Sequence, residues 1–137
     1  MHWSEKLLEE PVPPEVARFL AGCVRSLMAL ELLLLVRSKP DRERTAAELA
    51  RELRSSEEWT ELELRHLAAC GLVTVSGPPL RYRYRKASDE TEHAAAWLAS
   101  SYPELRFSII RTIYPPVSDP IRDFADAFRI RKDRPDG

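Results

Sequence analysis

Residues 45–86 leave few options for the local fold. They read TAAELARELRSSEEWTELELRHLAACGLVTVSGPPLRYRYRK. Thr45-Ala46-Ala47-Glu48 is a capping box: the Thr45 hydroxyl can accept from the backbone amide three residues on, and Glu48 can reach back to the amide of Thr45. The short helix it opens runs to about Arg54, with Ala46, Leu49, Ala50 and Leu53 inward. Ser55-Ser56 makes the turn and supplies the next N-cap. A second helix continues to Cys70, and Gly71 suits the left-handed position that closes helices. Leu72-Val73-Thr74-Val75 is strand-like, and Ser76-Gly77-Pro78-Pro79 is turn chemistry. From Leu80 to Arg85 apolar and basic residues alternate. That alternation puts Leu80, Tyr82 and Tyr84 on a core side and Arg81, Arg83 and Arg85 on the solvent side.

The flanks read as helical. His2 to Glu10 suggests a short helix with Trp3 and Leu7 on one side, ended by Pro11, Pro13 and Pro14. Another helix starts near Pro14, since proline suits a first helical turn. Val16, Phe19, Leu20, Cys23, Val24, Leu27, Met28 and Leu34 recur in it at three- and four-residue steps, and Gly22 is where it would split or bend. Lys39-Pro40-Asp41 stops it. After Ser88, the acids Asp89, Glu90 and Glu92 suit the first turn of a helix. Tyr102-Pro103 interrupts, and Leu105, Ile109, Ile110 and Ile113 form a further stripe that Pro115-Pro116 ends. A last helix starts at Pro120, with Ile121, Phe124, Ala125 and Phe128 on one side and Arg129, Arg131 and Lys132 in its last turns.

The order of these elements resembles the winged helix-turn-helix family, of the small bacterial transcription-regulator type. The resemblance is carried by AELAREL, a turn, LRHLAACGLVTV and the basic hairpin, and covers about residues 26–86. It implies a mainly α fold with a small β-hairpin. The winged helix-turn-helix would span 26–87, between an N-terminal helical extension at 1–25 and a C-terminal one at 88–137. In relatives of this kind such flanking helices often form a homodimer, which would bring two wings to one duplex. The resemblance also implies a DNA-binding role in transcription regulation.

The residues themselves pull in two directions. In DNA-binding members the second helix of the motif enters the major groove. Counting back from Gly71 places Leu67, Leu64 and Thr60 inward, leaving Glu57, Glu58, Trp59, Glu61, Leu62, Arg65 and His66 toward the groove. Tight DNA binders neutralise phosphates with Lys and Arg, whereas several carboxylates together repel them. The wing reads the other way, because Arg81, Arg83, Arg85 and Lys86 can lie against phosphates. The DNA-contacting set is therefore Arg81, Arg83, Arg85 and Lys86, with Arg65 and His66 from the helix. The competing function is a protein-interaction module, with Trp59 and Leu62 as an apolar spot inside a rim of Glu58 and Glu61. Trp59 can equally pack on the preceding helix, the glutamates can be a solvated face, and the wing arginines can simply protect an edge strand.

Bulk properties bound the rest. With 137 residues, the chain can bury a real core. A net charge of −1 means that any attraction to phosphate must come from a local patch. Cys23 and Cys70 are far apart in apolar contexts and read as reduced thiols. His66 and Cys70 have metal-ligand spacing, but a pair is not a site, and neither a metal nor another cofactor is expected. The Phe19–Val36 run is too short and too charged to span a membrane, and no signal peptide is visible, so the expected location is the cytoplasm. No phosphate loop or nucleophile elbow points to an enzyme.

Overall fold

The computed structural model describes residues 12–114. The helices read at residues 2–10 and from Pro120 onward, including Ile121, Phe124 and Phe128, lie outside the described residues, as does the basic cluster Arg129, Arg131, Lys132 and Arg134. Helix α1 (Pro14–Cys23) has proline in its first turn, and α2 (Leu27–Ser38) follows at an angle of 101°. Ser26 sets this corner by capping α2, accepting from the Ala29 amide at 3.1 Å. The break falls at Val24–Ser26 rather than at Gly22, because a side-chain cap starts a new helix more decisively than a glycine bends an old one.

Helix α2 is the centre of the fold. Ala29, Leu30, Leu32, Leu33 and Val36 are buried, while Leu27 and Leu34 are half-buried and Met28 is exposed. The periodicity predicts a different stripe. The segment LMALELLLLV offers apolar side chains on every face, as suits a helix packed on several sides, so its phase cannot be read locally.

The motif helices are α3 (Ala46–Leu53) and α4 (Glu57–Ala69). Both arms of the Thr45/Glu48 capping box are formed, and Arg54 closes α3 in the left-handed region at φ 60°. Ser56 caps α4 by accepting from the Trp59 amide at 3.0 Å. Gly71 follows with φ +81°, a conformation that glycine adopts without strain.

Strands β1 (Val73–Ser76) and β2 (Arg81–Tyr84) pair antiparallel, with Val73 opposite Tyr84 and Ser76 opposite Arg81. Arg44 adds a rung on the far side of β2: its amide donates to the Tyr82 carbonyl at 3.0 Å, and its carbonyl accepts from the Tyr82 amide at 2.8 Å. Tyr82 and Tyr84 face the core as the alternation predicts. Leu80 does not and is 44 % exposed, because strand pairing begins only at Arg81 and Leu80 belongs to the hairpin tip.

Helices α5 (Asp89–Ser101) and α6 (Arg106–Ile113) complete the described chain. A second capping box at Ser88 and Thr91 starts α5. Helix α1 packs against both α5 and α6, so the described parts of the two flanks adjoin one another. One apolar cluster runs from Val16 through α2, the motif and Tyr82 to Ile109. No single described helix is long and apolar enough to cross a membrane.

Candidate nucleic-acid interface

The groove-facing helix of the motif is α4, and its acids are not equivalent. Glu63 points inward. Its side chain is 6 % exposed and pairs with Arg25, from the α1–α2 corner, at 3.2 Å. Glu61 accepts from the Tyr82 hydroxyl at 3.0 Å and lies 3.5 Å from Arg65. Burial and then the Glu61 carboxylate push the Tyr82 phenol up from its ordinary value, so the tyrosine remains a donor. Glu61 therefore fastens the wing to α4. Glu57 and Glu58 remain in the exposed first turn, where they complement the helix dipole.

The other positions on α4 separate in the same way. Arg65 is exposed but shares its charge with Glu61. His66, expected on the groove side, is half-buried, and its Nε2 is enclosed with no hydrogen-bond partner among the described residues. Trp59 is half-buried against the core cluster, which leaves Leu62 as the exposed apolar residue of the pair, at 61 %. Trp59 and Leu62 nevertheless line one open concave face together with Glu58, Glu61 and Arg65.

The wing cations also divide. Arg85 turns back and donates to the Gly71 carbonyl at 3.1 Å, closing the end of α4. Lys86 lies 3.3 Å from Asp89. Arg81 and Arg83 are exposed and have no ion-pair partner among the described residues. Directly opposed residues of an antiparallel pair share a face. Arg83 therefore stands beside Thr74, and Arg81 beside Ser76. The outer face of the wing is two guanidinium groups and two hydroxyls, a set that donates to phosphate oxygens. Ser76 also donates to Glu43 at 3.3 Å, so one acid borders this face.

Arginines that the sequence reading passed over hold the site in place. Arg44 is 4 % exposed and donates to Glu52 of α3 at 3.1 Å and to the Leu35 carbonyl of α2 at 3.0 Å. Arg37 donates to Glu92 at 2.6 Å, and the Tyr84 hydroxyl donates to the other oxygen of Glu92 at 2.5 Å. Burial alone would push the Glu92 carboxyl up, but the hydrogen bonds from Tyr84 and Arg37 outweigh it and hold it below the usual carboxylate range. Among the described residues no cluster of His, Cys, Asp and Glu is arranged to hold a metal ion.

A short capped helix, a turn, a second helix and a hairpin joined to a third backbone segment define the winged helix-turn-helix fold. This chain has that fold, mainly helical with one small β-hairpin among the described residues. No family model and no curated protein matches the sequence. Solved structures are similar at low identity, two of them as follows. The multiple antibiotic-resistance repressor of Listeria monocytogenes gives a TM-score of 0.48 and 13 % identity over 96 % of this chain and 88 % of that one. A MarR family protein of Mycobacterium tuberculosis, in complex with salicylic acid, gives a TM-score of 0.40 and 16 % identity over 93 % and 91 %.

Proposed function

We propose that the chain is a cytoplasmic winged-helix transcriptional regulator that binds duplex DNA mainly through its wing, and that it does so as a homodimer. The observation that carries this reading is the pair Arg81 and Arg83, exposed and without ion-pair partners among the described residues, beside a helix whose inner acids are already engaged. With Glu63 buried against Arg25 and Glu61 held by Tyr82 and Arg65, the repulsion that α4 would exert on phosphates falls mainly to Glu57 and Glu58. Arg65 then lies along the groove, while Arg85 and Lys86 support the wing rather than reach from it.

The dimer is supported by α6, where Phe107 is 75 % exposed. A second copy would cover this side chain, and two wings on one duplex would gain avidity without new contacts. Light scattering on the whole chain tests it: a monomer at micromolar concentration removes the dimer.

A salt titration on duplex DNA tests the binding itself. Each phosphate contact contributes about 0.9 to the slope of log affinity against log salt. Replacing Arg81 and Arg83 together by alanine removes two contacts from each wing and should lower that slope by about 3.6 for the dimer. Undetectable binding at low salt, or a slope that both replacements leave unchanged, removes the proposal.

A further inference from the structure

Glu63 and Cys70 both contact the α1–α2 corner from α4. Arg25 of that corner pairs with Glu63, and the Cys70 thiol donates to the Gly22 carbonyl at 3.8 Å. The next residue, Cys23, carries the second thiol, one peptide unit from the carbonyl that Cys70 touches. Both cysteines are free and half-buried. Cys23 also lines an open cleft of about 190 Å³ between α1 and α5, beside Arg18, Glu90 and Thr91, and the Cys70 side is itself only part-covered. The thiols come from helix ends that are 48 positions apart in Cys70 and Gly22, so their meeting is a product of the fold.

The geometry points to Cys23 and Cys70 as a dithiol that peroxides oxidise to an intramolecular disulfide, tying the end of the groove-facing helix to the end of α1. The Cys70 thiolate attacks one peroxide oxygen and the O–O bond breaks. Cys70 becomes a sulfenic acid, and the other oxygen leaves as an alcohol or water, taking up the proton that Cys70 had released. The Cys23 sulfur then attacks the Cys70 sulfur, the S–O bond breaks, and the departing hydroxide leaves as water with the Cys23 proton. Two thiols lose two electrons and two protons, and the peroxide is reduced by the same two electrons. Burial and then the Cys70 thiol push Cys23 up to about 12, and the same disulfide results whichever sulfur is oxidised first.

The consequence for the site follows from distance. A disulfide is about 2.05 Å long, shorter than any non-bonded contact between thiols. Closing it draws the end of α4 toward α1. Cys70 precedes Gly71, whose carbonyl accepts from Arg85 at the base of the wing. The displacement therefore reaches both elements of the interface. This consequence rests on the DNA-binding reading, whereas the disulfide does not.

The test uses the whole chain, reduced, treated with hydrogen peroxide, alkylated and cleaved with trypsin. The expected product is peptide 19–25 linked to peptide 66–81, with an intact mass lower by two hydrogens and full reversal by a dithiol reductant. Cys23→Ser and Cys70→Ser should each abolish the linked peptide. Oxidation should change DNA affinity about tenfold in the native chain and leave it unchanged in Cys23→Ser. Sulfinic or sulfonic products without the linked peptide, or a disulfide only between chains, overturn the dithiol. A linked peptide with identical DNA affinity before and after oxidation overturns its control of the interface. A linked peptide in a chain that never binds DNA upholds the dithiol and removes the DNA reading.

Discussion

Arg25 reaches Glu63 across 38 residues of sequence, and their 3.2 Å ion pair pins the α1–α2 corner to the middle of the groove-facing helix. The pair does two things at once. It takes one of four clustered carboxylates off the surface of α4. It also fixes the rotation of α4 about its own axis, which decides whether Leu62 and Arg65 or Glu63 and His66 face outward. The position of the helix thus depends on a residue in the flank, far from the motif itself.

Arg25→Ala should therefore destabilise the fold more than an ordinary surface substitution. It leaves the Glu63 carboxylate buried with Oε1 unpaired, while Oε2 already lacks a partner among the described residues. Arg25 is 58 % exposed, so solvent weakens the pair, and the loss should be about 1–2 kcal/mol rather than the larger cost of a fully buried one. Urea unfolding gives the comparison. Adding Glu63→Gln to Arg25→Ala should recover part of the loss, since a neutral amide costs less to bury. A wild-type midpoint for the single variant would count against this account.

The wing arginines should respond differently to the same change. Arg85→Ala removes a donor from the Gly71 carbonyl and should cost about 0.5–1 kcal/mol of stability, leaving the salt slope of DNA binding intact. Arg81→Ala and Arg83→Ala, singly, should each reduce that slope by about 2, one contact per wing of the dimer, with little effect on the unfolding midpoint. If Arg85→Ala changes the slope as much as Arg83→Ala, the division between anchored and free cations is wrong.

Much of this fold can be read from local chemistry. Thr45, Ser56 and Gly71 act within a few residues of themselves, so the motif's helix boundaries are legible. The alternation of β2 is equally local, apart from Leu80, where the hairpin tip overrides the period. What stays hidden is set by distant partners. Glu63 looks like a surface acid until Arg25 is beside it, although its place three residues after the inward Thr60 and four before Leu67 is a signal that it turns inward. The phase of α2 is illegible because its apolar residues cover every face. His66 sits at the border between the faces of α4, where a small rotation decides between groove and core.

The Arg37–Glu92–Tyr84 cluster gives the protein an acid-sensitive joint between α2, the wing and α5. The folded-state value of Glu92 lies below the usual one, so its contribution is fully present above about pH 4.3 and is lost as pH falls through the folded value. Tyr84 moves the opposite way: burial and then Glu92 raise it, so its contribution holds below about pH 10 and fades as pH rises beyond. Glu92→Gln should cost about 1–2 kcal/mol at neutral pH. The gap between variant and wild type should narrow as pH drops to about 3. Thermal unfolding at several pH values tests this, and a gap that stays constant or widens toward acid would falsify the sign.

Arg44 carries the last of these expectations, because it joins three elements from a nearly buried position. Its backbone pairs with Tyr82 of the wing, while its guanidinium donates to Leu35 at the end of α2 and to Glu52 on α3. Arg44→Leu preserves the apolar stem and the backbone rung but removes both side-chain bonds. It should lower stability by about 1–3 kcal/mol, since the charge-assisted bond to Glu52 goes and the Leu35 carbonyl keeps only the Ser38 hydroxyl as a side-chain donor. Arg44→Lys should rescue little, because one ammonium group cannot reproduce a planar fork directed at two acceptors. Hydrogen exchange separates packing from anchoring. If the guanidinium holds the segment against the wing, the Tyr82 amide, which donates to the Arg44 carbonyl, should exchange faster in both variants than in the wild type. Unchanged protection at Tyr82 together with an unchanged melting temperature would mean that the backbone rung alone holds the wing.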